Sequence, residues 1–241
     1  MDDVALLVFA KPPLAGVAKT RLIPALGAQG AARLAAALLE HTLAEASRAA
    51  SGPLWLYSTA RHPLLARAAQ RHGARRRLQR GADLGARMAQ ALQRACRDTP
   101  AALLLGADCP ALDAACLRRA ARALRDADLV FVPALDGGFA LVGCRATAAA
   151  ATRRLFAERT WSVADVMQRM REGLLDLGLR WIELDALADI DTPDDLAALP
   201  PALHDALQDE LRGEPQEGTH DARRREPPLG LPGELRCDGC C

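Results

Sequence analysis

The chain has 241 residues, half of them hydrophobic, a quarter charged and 3% aromatic. That supplies a core for one large domain, or a medium one with appendages, and excludes a wholly disordered polymer. The 31 basic and 30 acidic residues leave a formal charge of +1, so no global field recruits nucleic acid or an anionic membrane, and few rings are available to stack on bases.

No uncharged apolar run approaches the roughly 18 residues of a membrane span. The start, Asp2 and Asp3 before a short apolar run ended by Lys11 and Pro12, is unlike a secretory leader, so the expected compartment is the cytoplasm. In chain order, Val4–Ala10 (VALLVFA) predicts a buried strand, stopped by Pro12 and Pro13. Residues 29–50, with Leu and Ala at helical spacing and no proline, predict a long helix. A strand over 54–59, a short helix over 62–72 and a helix over 84–97 follow. A second buried strand, 101–105, ends in the loop Gly106-Ala107-Asp108-Cys109-Pro110, and a helix over 113–125 takes Asp113 as its N-cap. Strands 128–133 and 139–143 bracket the turn Asp136-Gly137-Gly138, an antiparallel excursion. A helix over 162–177, a strand over 180–184 and a helix over 193–199, opened by Thr192 and Pro193, complete the pattern.

This alternation predicts an α/β fold with a mainly parallel central sheet and helices on both faces. Ligands of such sheets sit beyond the carboxyl ends of the strands, which directs attention to the loops after Ala10, Leu105 and Leu184. Residues 1–200 read as one domain and 201–241 as a C-terminal helix and a disordered tail, since periodicity stops near Arg212 and 213–241 is rich in Gly, Pro and charge.

Only two of the basic residues are lysines, Lys11 and Lys19, and both lie in the loop of 9–22, FAKPPLAGVAKTRL. Either this is chance in an Arg-rich chain, or a compact ammonium is needed at both places. Lys11, Lys19 and Arg21 cluster between a strand and a helix, with Gly16 permitting an unusual backbone. A phosphate is the natural guest of such a turn, a solvated basic loop the plainer reading. A P-loop is not expected, because Pro13 and Ala18 occupy its glycine positions.

Asp108 ends a rigid strand and is suited to hold Mg²⁺ or Mn²⁺ against a nucleotide diphosphate, unless it serves only as a turn carboxylate. Asp136 precedes two glycines that admit close approach of a substrate. Asp189 and Asp191 flank Ile190 in an extended stretch and point to one face. Asp191 is alternatively an N-cap partner of the last helix, and Asp194 and Asp195 suit that helix's dipole. Asp83 and Arg87, four residues apart at a helix start, read as an ordinary ion pair or as a site for phosphate or acceptor at Arg87.

Taken with GADLGARM (81–88), GADCPAL (106–112), PALDGGFALVG (133–143), Trp161-Ser162 and DIDTPDDL (189–196), the lysine loop resembles the signature of a bacterial family of the GT-A, or nucleotide-diphospho-sugar transferase, superfamily, over residues 4–199. Its members are described as transferases associated with radical-SAM/selenodomain or arsenosugar clusters. The resemblance implies a Rossmann-like GT-A three-layer sandwich and a glycosyltransferase that uses a nucleotide-diphospho-sugar, a small-molecule acceptor and Mg²⁺ or Mn²⁺. It implies that Asp108 is the metal-binding aspartate and that Arg87 lies near the nucleotide. With the residue readings above, the expected site has Asp108 and Asp136 as catalytic residues, Lys11, Gly16, Lys19, Arg21 and Arg87 at the phosphates, and Asp108 and Asp191 on the metal. Gly106 stands where the usual Asp-x-Asp motif has its first aspartate, and Val163 where the family has threonine. The K…KTRL element also resembles 2-phospholactate guanylyltransferase, so the alternative is nucleotidyl transfer from an NTP to a phosphorylated small molecule with pyrophosphate release.

Cys96, Cys116 and Cys144 read as small core residues, and Cys109 lacks a paired His and Asp that would make it a nucleophile. Cys237, Cys240 and Cys241 form C-x-x-C-C, three thiols able to hold a soft metal or metalloid with a fourth ligand such as His220, or simply an unstructured end. A non-enzymatic nucleotide sensor or metal carrier working through that tail is a third reading. Nucleic acid and membrane are not expected as partners, and the sequence leaves the oligomeric state open.

Overall fold

A computed structural model describes residues 3–157, 161, 164–201, 203 and 204. The predicted tail, its three cysteines, His220, Ser162 and Val163 lie outside the described residues. The elements are β1 (Val4–Ala10), α1 (Ile23–Ala49), β2 (Leu54–Ser58), α2 (Pro63–Arg71), β3 (Arg75–Leu78), α3 (Leu84–Ala95), β4 (Ala101–Gly106), α4 (Ala114–Ala123), β5 (Leu129–Pro133), β6 (Phe139–Arg145), α5 (Thr152–Leu155), α6 (Val166–Asp176) and β7 (Trp181–Glu183). Short 3₁₀ turns occupy Thr20–Leu22, Ala146–Ala148 and Pro193–Ala198.

Among the described residues seven strands form one sheet in the order β3-β2-β1-β4-β6-β5-β7. Only β6 runs antiparallel to its neighbours, β4 and β5, so the sheet is mainly parallel as expected. Alternate residues of β1 feed two cores. Leu6 and Val8 pack with α1, α2 and α4 on one face, and Ala5, Leu7 and Phe9 pack with α3, α5 and α6 on the other. Strands covered on both faces have no reason to alternate polar and apolar residues, hence their unbroken hydrophobic runs.

Several elements depart from the sequence reading, which also expected nothing at Ala146–Ala148 or at α5. Helical backbone already appears at Ile23, where Pro24 fits a first turn, but Gly27 (φ 69°, ψ 167°) is non-helical and kinks the chain, so the uninterrupted part of α1 begins just after it, close to the expected start near Gln29. With the turn before it, α1 is long and apolar enough to cross a membrane, mean hydropathy 1.4. Its buried Leu34, Leu38, Leu39 and Leu43 nevertheless pack inside the domain. Strand β3 (RRRL) was not anticipated, since it has no apolar alternation. It forms by pairing in parallel with β2, while the Arg77 guanidinium lies 3.6 Å and that of Arg75 5.5 Å from the Trp55 ring centroid. Cation–π stacking substitutes for apolar packing there, and three charges keep the sheet edge from pairing further. The predicted last helix is a 3₁₀ turn.

Candidate active site

The order of strands reverses between β1 and β4, whose carboxyl ends lie side by side with Phe9 opposite Gly106. A cavity of about 740 Å³ opens there, at the position where open α/β sheets bind ligands. Lys11, Lys19, Arg21, Arg87, Asp108, Asp136, Asp189 and Asp191 all line it. Gly16 does not. Its φ of 75° shapes the loop instead, and leaves it a conformational role.

Three chain segments deliver the carboxylates. After β4, Asp108 and Cys109 are tied down: the Ile190 N–H donates to the Asp108 carbonyl (2.9 Å), and the Cys109 thiol donates to the Ala188 carbonyl (3.2 Å). His41 of α1 lies 2.9 Å from the Pro110 carbonyl, and Asp113 caps α4 by accepting the Cys116 N–H. At the β5–β6 turn, Asp136 Oδ1 accepts the Gly138 N–H at 2.8 Å. Gly137 (φ 90°) packs so close to α6 that a Cβ would overlap the Ala164 carbonyl, which explains the glycine. After β7, the chain runs beside the end of β5 through Leu187 and then crosses to the β4 loop, carrying Asp189 and Asp191 to the cavity.

Asp191 is not the capping partner of the following turn. Thr192 is its N-cap, and Asp195 inside the turn reaches back to it, accepting the N–H groups of Asp191 (3.0 Å) and Thr192 (2.6 Å) and the Thr192 hydroxyl (2.8 Å). Burial opposes its charge, but those donors hold the Asp195 carboxyl below the usual range. The side chain of Asp191 is thereby left to the cavity.

The two lysines differ sharply. Lys11 is exposed, whereas the Lys19 side chain is 4% exposed. Its Nζ donates to Asp108 Oδ1 (2.6 Å), the Ile190 carbonyl (2.5 Å) and Asp191 Oδ1 (3.2 Å). Arg21 Nη1 reaches the other Asp191 oxygen at 3.1 Å. The backbone of Lys19 is left-handed (φ 50°, ψ 42°), a conformation that costs a non-glycine residue about 1–2 kcal/mol and is held here by the ion cluster. In this state all three ammonium hydrogens are committed to protein oxygens, so Lys19 braces the carboxylates and the donors open to a phosphate belong to Lys11, Arg21 and Arg87.

Asp83 and Arg87 do not pair. Asp83 Oδ1 caps α3 at the Ala86 N–H (2.8 Å), and Arg87 Nε donates to the Gly81 carbonyl (3.2 Å). One edge of the Arg87 guanidinium is thus fixed while its terminal nitrogens remain for a ligand. Asp189 is a site residue that sequence reasoning underweighted. Burial, and then the charges of Asp136 and Asp191, push its carboxyl upward, with Lys19 opposing. Phe139, Trp161 and Met88 form an apolar wall of the cavity, the Trp161 ring standing edge-on to Phe139 and Phe156. Cys116 and Cys144 are buried and Cys96 half-buried, as a core role requires. Burial pushes the Cys109 thiol up to about 11, which leaves it protonated and unreactive at neutral pH.

Among the described residues no three His, Cys, Asp or Glu side chains are grouped to cage a metal. A Mg²⁺ or Mn²⁺ site needs only one or two carboxylates when substrate phosphates complete the shell. Asp108 and Asp191 fit that lesser demand: both hold one cation already, the Lys19 ammonium, and their side chains are 56% and 39% exposed toward the cavity. A Cβ at Gly106 would meet nothing within 4 Å, so the site has room where a second strand-end carboxylate would stand.

The chain is similar to the "putative nucleotide-diphospho-sugar transferase" of Desulfovibrio desulfuricans G20, at 26% identity and a TM-score of 0.77 over 88% of this chain and 96% of that one. It also shares its fold with a nucleotidyl transferase from Methanothermobacter thermautotroptrophicus (18% identity, TM-score 0.60, 85% and 99% covered). The same holds for 4-diphosphocytidyl-2C-methyl-D-erythritol synthase from Anaerococcus prevotii DSM 20548 (12%, 0.57, 84% and 99%). No curated protein matches its sequence. A family model matches residues 42–163, half of the chain, which include Arg87, Asp108 and Asp136: the chain belongs to DUF2064, a family of uncharacterized proteins conserved in bacteria.

Proposed function

We propose that this protein is a transferase that binds the diphosphate of a nucleotide-sugar in the β1–β4 cavity and passes the sugar to a small acceptor. One observation carries the reading: cations from the loop after β1 and carboxylates from the loops after β4 and β7 meet in one cavity, with Lys19 Nζ 2.6 Å from Asp108. Lys11, Arg21 and Arg87 hold the phosphate oxygens, and the rigid β4 loop presents Asp108 where a cation would lie between its carboxylate and the same phosphates. Asp136, fixed through one oxygen by Gly138, has the other available to take the acceptor's proton. The acceptor oxygen bonds to the anomeric carbon as the bond from that carbon to the β-phosphate oxygen breaks, and the electron pair leaves with the nucleoside diphosphate. Asp108 and Asp191 would hold a divalent ion, Mg²⁺ or Mn²⁺, which would neutralise charge on the departing diphosphate.

Similarity to the Desulfovibrio protein supports the sugar-transfer reading. The cluster of cations supports nucleotidyl transfer as the second reading, since Lys11, Arg21 and Arg87 offer more positive charge than a diphosphate alone demands. Incubation of the full chain with nucleotide-sugars and, separately, with nucleoside triphosphates decides between them. Release of a nucleoside diphosphate from the former is expected. Release of pyrophosphate from the latter would establish the second reading, and no release from either would remove both.

A further inference from the structure

Lys19, with Arg21 beside it, is where the opposite charges of the cavity touch, and the coordination of Lys19 is already full. Three protein oxygens take its three ammonium hydrogens, and the side chain is almost wholly buried. Lys19 and Arg21 together match Asp108 and Asp191 in charge. A bare divalent cation approaching these carboxylates therefore meets an ammonium already seated between them and brings two charges with no counter-ion. A phosphate alone finds Lys11, Arg21 and Arg87 ready but Lys19 occupied. Together, anion and metal balance one another.

The loop that carries Lys19 is tied to the rest of the fold by side chains and not by backbone hydrogen bonds. Its backbone bonds are local, Val17 N–H and Ala18 N–H to the Leu14 carbonyl and Leu22 N–H to the Lys19 carbonyl, and Val17 is exposed. The carboxylate side is braced across the fold by Ile190, Ala188 and His41. A change in the ion cluster is therefore taken up by the lysine and not by the aspartates.

We propose that Lys19 is a displaceable internal cation: its ammonium ties Asp108 to Asp191 until the phosphates of an arriving nucleotide take it over, releasing the carboxylate pair to a divalent cation, so that anion binds before metal. This rests on the transferase reading above and adds an order of binding and a positioning role for Lys19. The mixed binding is reciprocal, since whatever the anion adds to metal affinity the metal adds to anion affinity.

Because the chain has two lysines, lysine labelled with ¹⁵N at Nζ gives at most two ammonium signals, one from exposed Lys11 and one from buried Lys19. Inorganic pyrophosphate, added to the full-length protein without metal, is expected to shift the Lys19 signal. In the absence of any anion, Lys19→Met is expected to bind Mn²⁺, followed by electron paramagnetic resonance of the free ion, about tenfold or more tightly than the wild type. Pyrophosphate should then tighten Mn²⁺ binding much more in the wild type than in the variant. A Lys19 signal unmoved while pyrophosphate raises the melting temperature would overturn the internal-cation role and leave the transferase reading standing. So would a folded Lys19→Met protein with no gain in Mn²⁺ affinity. If that variant does not fold, the spectrum of the wild type decides alone. Failure of pyrophosphate and of every nucleotide to bind the wild type would remove both proposals together.

Discussion

The cations of the cavity, Lys11, Lys19, Arg21 and Arg87, all come from the chain before β4, while its carboxylates, Asp108, Asp136, Asp189 and Asp191, all come after it. The two sets are held differently. The acidic side stands on strand ends and turns cross-linked by backbone bonds, such as Ile190 N–H to the Asp108 carbonyl and Gly138 N–H to Asp136. Most of the basic side hangs from a loop with local bonds and from the first turn of α3. A site with one rigid and one adjustable wall has its geometry set by the carboxylates and its closure set by the ligand, which is how a preformed scaffold with mobile loops divides the work.

Substitution on the rigid wall breaks this contrast most severely. Asp108→Asn should lower turnover by about a hundredfold or more, because its carboxylate would hold the divalent cation that offsets the charge developing on the leaving group. The melting temperature should fall by a few degrees, since asparagine keeps an oxygen for the buried Lys19 ammonium but not the charge that balances it. Steady-state product release together with a melting curve checks both halves of the statement. On the adjustable wall, Lys11→Ala should weaken nucleotide binding about tenfold by calorimetry, the worth of a hydrogen bond to a charged group, with no change in fold. Arg21→Ala should cost less, since its guanidinium is already shared with Asp191.

A sharpening test adds charge to the rigid wall. Gly106→Asp places a carboxylate where a Cβ meets nothing within 4 Å, and Mn²⁺ affinity measured without nucleotide should rise several-fold, in proportion to ligand charge count. The smallest effect is at Asp189. Burial raises its carboxyl above the ordinary 3.8, so the folded state keeps the proton to higher pH than the unfolded chain. The resulting cost is absent below the ordinary value, grows as pH rises toward the raised one, and is fully present above it. Asp189→Asn should therefore raise the melting temperature at pH 7 by no more than about 2 °C, and the gain should vanish in melting curves taken below the ordinary aspartate range.

Much of the frame was legible in the amino-acid sequence because it rests on local signals. The run VALLVFA, the Asp113 cap and the Asp-Gly-Gly turn carry their own physics, and β1, α4 and the β5–β6 hairpin lie where those signals put them. The arginine-rich β3 was not legible, since its apolar partner, Trp55, is supplied by another strand. The site was legible as a set of residues, because loops at the carboxyl ends of strands converge in this topology. The pairings within it were not. Charge and spacing point Lys19 toward a phosphate and Asp83 toward Arg87, but contacts 171 and 172 residues apart in sequence place Lys19 among carboxylates, and the free N–H groups of α3 claim Asp83. An association with arsenosugar chemistry remains an implication of resemblance alone, with no residue of the cavity that speaks for it.

The most direct test of the central claim, that opposite walls of this cavity enclose a nucleotide phosphate group, is the melting temperature of the full chain against nucleotide-sugars and nucleotides with and without Mn²⁺. A ligand at a hundred times its Kd adds about 2.7 kcal/mol, or roughly 5–10 °C for a domain of this size. The account predicts a rise of that order for at least one nucleotide, larger with Mn²⁺ present and reduced in Lys11→Ala. An unchanged melting temperature across the whole panel would contradict it.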